Sequence, residues 1–511
     1  MFPEPSKPAY SVTDTVYAWL SLLLAFLFCQ TTPVAEHPLG GFLLIAILFT
    51  LGFVIIRLKK QKLYPVCILC AISALIIGSA LLLTDTKLLI KLSFAYSLAS
   101  YCYFLYAALG NRIEEGFSDY IYIDYIKSLF ILPFSSLGAI FPALSNKSTE
   151  KGSRFLIKVI IGIGIAIIPT ALAFAFLSYD ADFMKIIDNI FSFDSKNIGR
   201  TMRSLIFALP LAMYGFSLYA ASVKKVLHER MTAASCENGL KKAKILPQLT
   251  ALVAVLPILF LYVVFFISQW QYYVSGFTGV LPENFSYAEY ARQGFFELCA
   301  VSVINLILII SIAFFIKPGR QSKPVVLKIV TTVFCLCTLI LISTAVAKLV
   351  MYIRYYGLTP KRIYAMWLMV LIGIVFLLIA FGQYLRRFKS VAICFTVAIV
   401  MFSGLAVCNV NALCSQYNAD KYLSGELETF DAISLADLGN SAVPALVQVA
   451  TTMDTQKDPF LKQQIDAVLE TRAEEFEKDE FDLFSVSLPA LRAKAALKEY
   501  FPNKSFNGSL M

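Results

Sequence analysis

Long apolar runs broken by short polar stretches recur eleven times along the chain, at about 13–30, 38–57, 64–84, 88–109, 155–178, 201–222, 245–268, 293–316, 325–350, 363–384 and 390–409. Each is close to the roughly 20 apolar residues that carry a helix across a bilayer. The pattern predicts an all-α, polytopic transmembrane helix bundle of about 11 spans over residues 1–410. One further stretch fits less well: in 119–145, Asp119, Asp124 and Lys127 interrupt the first half and Pro133 the middle. It reads as an amphipathic or re-entrant helix on the cytoplasmic side, with a twelfth span as the alternative. From about Asn409 the runs shorten and charge rises. Residues 411–511 are therefore expected to form a soluble helical tail, with helices at about 411–423, 428–451, 459–477 and 486–500, where apolar residues fall three and four apart. Pro444 should then lie near a helix start, where a missing N–H costs least.

Composition agrees with the pattern. Of 511 residues, 58% are hydrophobic and 15% charged, and mean hydropathy is +0.72, far from an ordinary soluble domain. The net charge of +10 hides an asymmetry, because residues 412–511 hold 16 acidic side chains against 9 basic ones. The membrane part is thus strongly basic, and its Lys and Arg concentrate in every second loop. RLKKQK at 57–62, the segment through Lys147, Lys151 and Arg154, the run from Lys224 to Lys244, KPGRQSK at 317–323 and RRFK at 386–389 are the basic set. By the positive-inside rule this charge reports orientation in a cell membrane and not a nucleic-acid surface: N-terminus cytoplasmic, C-terminus extracytoplasmic. Trp270 and Trp367 fall at the outer boundary of that arrangement.

Most of the eleven cysteines lie in apolar runs, where a thiol behaves as a small hydrophobe. Cys67 and Cys70 form a C-x-x-C inside a spanning helix, without the strand and helix around it that a redox motif would have. A disulfide between Cys408 and Cys414, at the end of the last span, stays open. With His37 and His228 as the only histidines, nothing calls for a metal centre or a cofactor.

The candidate chemistry lies in two stretches. Phe285 to Lys317 reads as one helix in two solvents, opening at a capping box of Ser286 and Glu289, passing Arg292 and Glu297, and then becoming membrane-length and apolar. Glu289, Gln293, Glu297, Val301 and Asn305 follow one face at four-residue spacing. Ser343 to Trp367 places Lys348, Tyr352, Arg354, Lys361 and Arg362 around a Gly-Leu-Thr-Pro break. An ionisable group deep in hydrocarbon costs about 2.5 to 3.5 kcal/mol on insertion scales, so it pairs or faces a wet cavity. Glu289, Arg292, Glu297, Asn305, Lys348, Tyr352 and Arg354 are the candidate binding residues, with Glu297, Asn305, Lys348 and Tyr352 lining an outward-facing polar pocket. The plainer alternative is that Glu297 pairs with Lys348 or Arg292 at the interface, while Lys348 and Arg354 extend to headgroups and the tyrosines form a belt. No nucleophile and base pair, glycine-rich phosphate loop or metal spacing accompanies these residues, so no catalytic residue is named.

YAEYARQGFFEL (Tyr287 to Leu298) with Asn305, and VMYIRYYGLTPKR (Val350 to Arg362), resemble the uncharacterised bacterial multi-pass family known as domain of unknown function 4173, related to the 4153 family. LSYDADF (Leu177 to Phe183), NADKYLSGE (Asn418 to Glu426), LGNSAVPAL (Leu438 to Leu446) and LFSVSLPALRAKAAL (Leu483 to Leu497) carry it less specifically. The resemblance implies a bacterial membrane location and lends no activity. The leading expectation is a non-enzymatic, transport-like or sensing module whose partners are the lipid bilayer and a small solute or lipid headgroup. Two alternatives stay open: an anchored structural protein whose tail recruits an extracytoplasmic protein, and a membrane-embedded transferase acting on a lipid-linked substrate.

Overall fold

The computed structural model describes residues 10–31, 36–145, 177, 180, 195–226, 232–268, 287–317, 325–385, 388–454, 458–478 and 483–504, with the backbone alone at 145, 195–203 and 287–294. Among these residues every regular element is helical, and a single isolated parallel bridge joins Leu246 to Ile316. Among the described residues ten helices are long and apolar enough to cross a membrane, or eleven if one bent pair counts as a span. Most bounds fall within a few residues of the expected runs, though Val325–Tyr356 extends six residues past the expected 350; 155–178, apart from Leu177, lies outside the described residues, as does Trp270. The chain is an all-α, polytopic membrane protein.

Contacts divide it into two compact units, one of residues 1–78, 94–113 and 122–230, the other of 79–93, 114–121 and 231–511. The first unit opens with α1 (Val12–Gln30), α2 (Pro38–Leu58) and α3 (Pro65–Gly78). After the short α4 (Ala80–Leu83), α5 (Lys87–Ala108) belongs to this unit from Phe94 onward. The equivocal stretch forms α6 (Ile121–Ile126), a π turn at Lys127–Ile131, α7 (Leu132–Ser135), a 3-10 turn at Leu137–Ala139 and α8 (Ile140–Ser145). Together these make two arms, Ile121–Ser135 and Leu137–Leu144, bent by 59°. The last described helix of the unit is α9 (Ser195–Val223), which passes through Pro210 unbroken.

The bend is held by α9. Tyr214 Oη donates to the Leu129 carbonyl at 2.8 Å, and Ser217 Oγ accepts the Ser136 N–H at 3.1 Å. Neighbouring side chains thus take up backbone groups that an interrupted helix would leave bare in an apolar medium. At one end of the unit Asp14, in the first turn of α1, accepts from Lys59 Nζ at 2.8 Å and Tyr219 Oη at 2.6 Å, within a Ser11 capping box. Tyr17, Phe216, Tyr219, Ala208 and Ala212 are buried in the core beside it.

In the second unit α10 (Ala233–Ala243) precedes four long helices: α11 (Gln248–Ser268), α12 (Tyr287–Phe315), α13 (Val325–Tyr356) and α14 (Pro360–Gly382). The stretch expected as one helix in two solvents is indeed continuous through α12. Phe295, Leu298, Ile309, Phe334, Leu341, Leu349 and Phe376 are buried where these helices meet. Large apolar side chains on the other faces, such as Phe260, Ile267 and Ile304, stay exposed, as lipid-facing positions of a membrane protein do. After α15 (Ser390–Val407) come α16 (Val410–Leu423), α17 (Ala432–Ala436), α18 (Val443–Thr452), α19 (Pro459–Lys478) and α20 (Leu488–Tyr500). These last five enclose their own core, centred on Leu446, Val449, Ile465, Leu469 and Leu497. The single helix expected at 428–451 is instead α17, a 3-10 turn at Gly439–Ala442 and α18, with Pro444 in the first turn of α18.

Candidate functional site

The candidate residues of the second unit lie on α12 and α13, which pack along each other. The hydrogen bond from Asn305 Nδ2 to Thr338 Oγ1, 2.9 Å, fixes one antiparallel level. Counting back along α12 and forward along α13 brings Glu297 and Lys348 to a second. The ten residues from Thr338 to Lys348 rise about 15 Å, so Asn305 and Lys348 do not share one pocket.

At the Asn305 level the polar groups close on each other. Tyr262 Oη on α11 donates to Asn305 Oδ1 at 2.7 Å, and Thr338 Oγ1 also donates to the Phe334 carbonyl at 2.9 Å. Asn305 is 1% exposed and Thr338 fully buried. Such a cluster joins three helices in a medium that offers no water, an effect of about 0.6 to 2 kcal/mol per bond.

The Lys348 level is different. Lys348 is 0% exposed, the most buried cation among the described residues of the unit, whereas Glu297 is exposed yet near enough for its carboxylate to act on the Lys348 ammonium. One further turn along α13, the Tyr352 ring receives the Arg362 guanidinium at 4.2 Å and lies 5.0 Å from Tyr356. Arg354 is exposed. The backbone places Glu289 and Arg292 one to two turns before Glu297, and their side chains, with the Ser286 cap, lie outside the described residues. Trp367 donates its indole N–H to the Met401 carbonyl at 3.0 Å, linking α14 to α15.

Two residues that the sequence did not single out hold this end of the unit together. Gly357, at φ +75°, ends α13. Asn418 of α16 then accepts the Leu358 N–H at 2.7 Å and donates to the Leu358 carbonyl at 2.8 Å, so one amide side chain satisfies both groups of an open turn. The second is Asp85, between α4 and α5, which accepts from Asn411 Nδ2 at 3.0 Å and from Ser441 N–H and Oγ, both at 2.8 Å. Only the long sequence separation hid them, since a lone Asp in a loop or Asn in a helix carries no local signal. Among the described residues no group of three or more His, Cys, Asp or Glu could hold a metal ion.

Residues 43–449 match the family described as Domain of unknown function (DUF4153). The chain belongs to that family. No curated protein and no solved structure matches it. The part of the chain matched to DUF4153 takes in Asp85, Glu297, Asn305, Lys348, Asn418 and Ser441, and it stops inside α18. In this DUF4153 protein both tail anchors therefore lie within the family region, while α19 and α20 follow it.

Proposed function

We propose that this DUF4153 protein is a non-enzymatic membrane module that moves or senses a small solute or a lipid headgroup at its extracytoplasmic side, at the level of Glu297 and Lys348. The observation that carries the reading is the fully buried Lys348 ammonium late in a membrane-length helix, with an exposed carboxylate acting on it from the neighbouring helix. Retaining a buried cation there costs about 2.5 to 3.5 kcal/mol on insertion scales, and a leucine would fill the same volume without that cost. The pair has opposite charges at different exposure, which suits a ligand that carries an acidic group toward Lys348. The stretches Tyr287 to Leu298 and Val350 to Arg362 are also the ones that resemble the 4173 family.

The test is a thermal-shift screen of the purified protein with amino acids, glycerol phosphate and short-chain anionic lipids. At least one should raise the unfolding temperature, and Lys348→Met and Glu297→Gln should each remove that rise. A rise that survives in both variants would take these residues out of the proposal. A second reading, in which the tail recruits an extracytoplasmic protein, is favoured by Ile433 and Phe460, which stand 58% and 68% exposed on a domain with its own core.

A further inference from the structure

The first unit carries a different ionisable group that the Lys348 reading does not use. Asp124 is 1% exposed and Lys127, one turn on, is 2% exposed. They sit where α6 passes into the π turn, just before the bend. A π turn and a break inside one membrane-embedded element depart from regular helix twice within a dozen residues, and such departures collect at functional sites. This one is built in, because Tyr214 and Ser217 of α9 hold the freed backbone groups.

The surroundings of Asp124 define what it could bind. Tyr106 Oη of α5 donates to Asp124 Oδ1 at 2.8 Å, and the Ile113 N–H reaches both carboxyl oxygens at 3.4 Å. Lys127 and Arg112 act on the carboxylate electrostatically, and Tyr103 feels its charge. Behind Tyr103 lies the ring of Tyr125, stacked at 4.4 Å, and then the thiols of Cys67 and Cys70. Two cations beside the carboxyl oppose a metal ion there and favour the carboxylate over its acid, whereas burial at 1% exposure opposes the charge. The same oxygens can take a proton without displacing anything, since the Tyr106 hydroxyl can turn from donor to acceptor.

We propose that Asp124 is a proton-binding site inside the membrane part of the protein, held on the bent element by Tyr106 and flanked by Lys127. Its ligand is the proton itself. The site uses only residues of the first unit, so its success or failure is independent of the Lys348 reading.

Dicyclohexylcarbodiimide, an apolar reagent for protonated carboxyls, tests it. The acid O–H adds across one C=N bond, oxygen to carbon and proton to nitrogen, so one whole reagent molecule is gained and nothing leaves. With the full-length protein in detergent, mass spectrometry of peptides should find the adduct on Asp124 in a series run from about pH 5 to about pH 8, fading as pH rises. Tyr106→Phe removes a hydrogen bond to the charged form and should raise the labelled fraction at the alkaline end by up to about tenfold. Asp124→Asn should clear the adduct from that peptide. An Asp124 without adduct across the whole window, an adduct that survives Asp124→Asn, or a profile unmoved by Tyr106→Phe would each overturn the proposal and leave a fixed ion pair in its place.

Discussion

Asn418 and Gly439 show how much can depend on one side chain or on its absence. Gly439 has φ +79°, and a Cβ there would come within 2.8 Å of Asp85 Oδ2. Gly439→Ala therefore meets two costs at once, a left-handed backbone of about 1 to 2 kcal/mol and a crowded carboxylate. Gly357 is in the same position at the other anchor, where an added Cβ would lie 2.5 Å from Asn418 Oδ1. Asn418→Ala strips both partners from Leu358 in a half-buried turn, a loss of about 1 to 3 kcal/mol. Each variant is expected to lower the unfolding temperature in detergent, and Gly439→Ala combined with Asp85→Ala should be milder than the sum of the two. If they simply add, the clash with Asp85 has no weight. NADKYLSGE and LGNSAVPAL stood out in the sequence only through resemblance, since the partners of Asn418 and Ser441 lie 60 and 356 residues away.

Elements were legible where one solvent dictated them. A 20-residue apolar run has few alternatives in a bilayer, so the described spans were readable to within about two turns, and the Gly-Leu-Thr-Pro break fell at the gap between α13 and α14. The tail was harder, because its helices obey local punctuation. Asp431 interrupts the long amphipathic reading of 428–451: its carboxylate accepts the Ser434 N–H at 2.9 Å and caps α17. Side-chain and backbone hydrogen bonds from Ser434 hold this carboxyl below its ordinary range. A group lowered on folding stabilises the fold above its unfolded value of about 3.9 and loses that effect as pH falls through the folded value. Asp431→Ala is thus expected to cost about 1 kcal/mol at pH 7, with the gap between wild type and variant closing below about pH 4. Unfolding followed by the exposure of buried tail residues, at both pH values, measures it. A gap that stays constant with pH would mean that the charge of Asp431 contributes nothing. The candidate site was half legible by the same logic: the four-residue ladder from Glu297 to Asn305 is real spacing, but it cannot reveal that its two ends lie at different depths with different partners.

For the second unit as a whole, the meeting of distant loops constrains how the chain crosses the membrane. Asp85 meets Asn411 and Ser441, and Leu358 meets Asn418. At the other ends of the helices, Asp119 accepts the Ala392 N–H at 3.0 Å, the Lys389 ammonium reaches the Phe117 carbonyl and Leu246 pairs with Lys317. Between these two sets run α14 and α15, each of membrane length, so the sets lie on opposite faces whichever way the protein is inserted. The second set contains Lys317 and Lys389, with Lys244 two residues before Leu246, a basic charge that favours retention in the cytoplasm. Native thiols make the orientation measurable, because Cys408 is exposed beside the first set and Cys236 half-exposed on the basic side. A membrane-impermeant maleimide added to intact cells is expected to modify Cys408 and to spare Cys236 until the membrane is opened, with Cys408→Ser removing the outer signal. Modification of Cys236 alone in intact cells would invert the protein. It would place the Asp85 and Asn418 anchors, and the Glu297 and Lys348 level beneath them, on the cytoplasmic face.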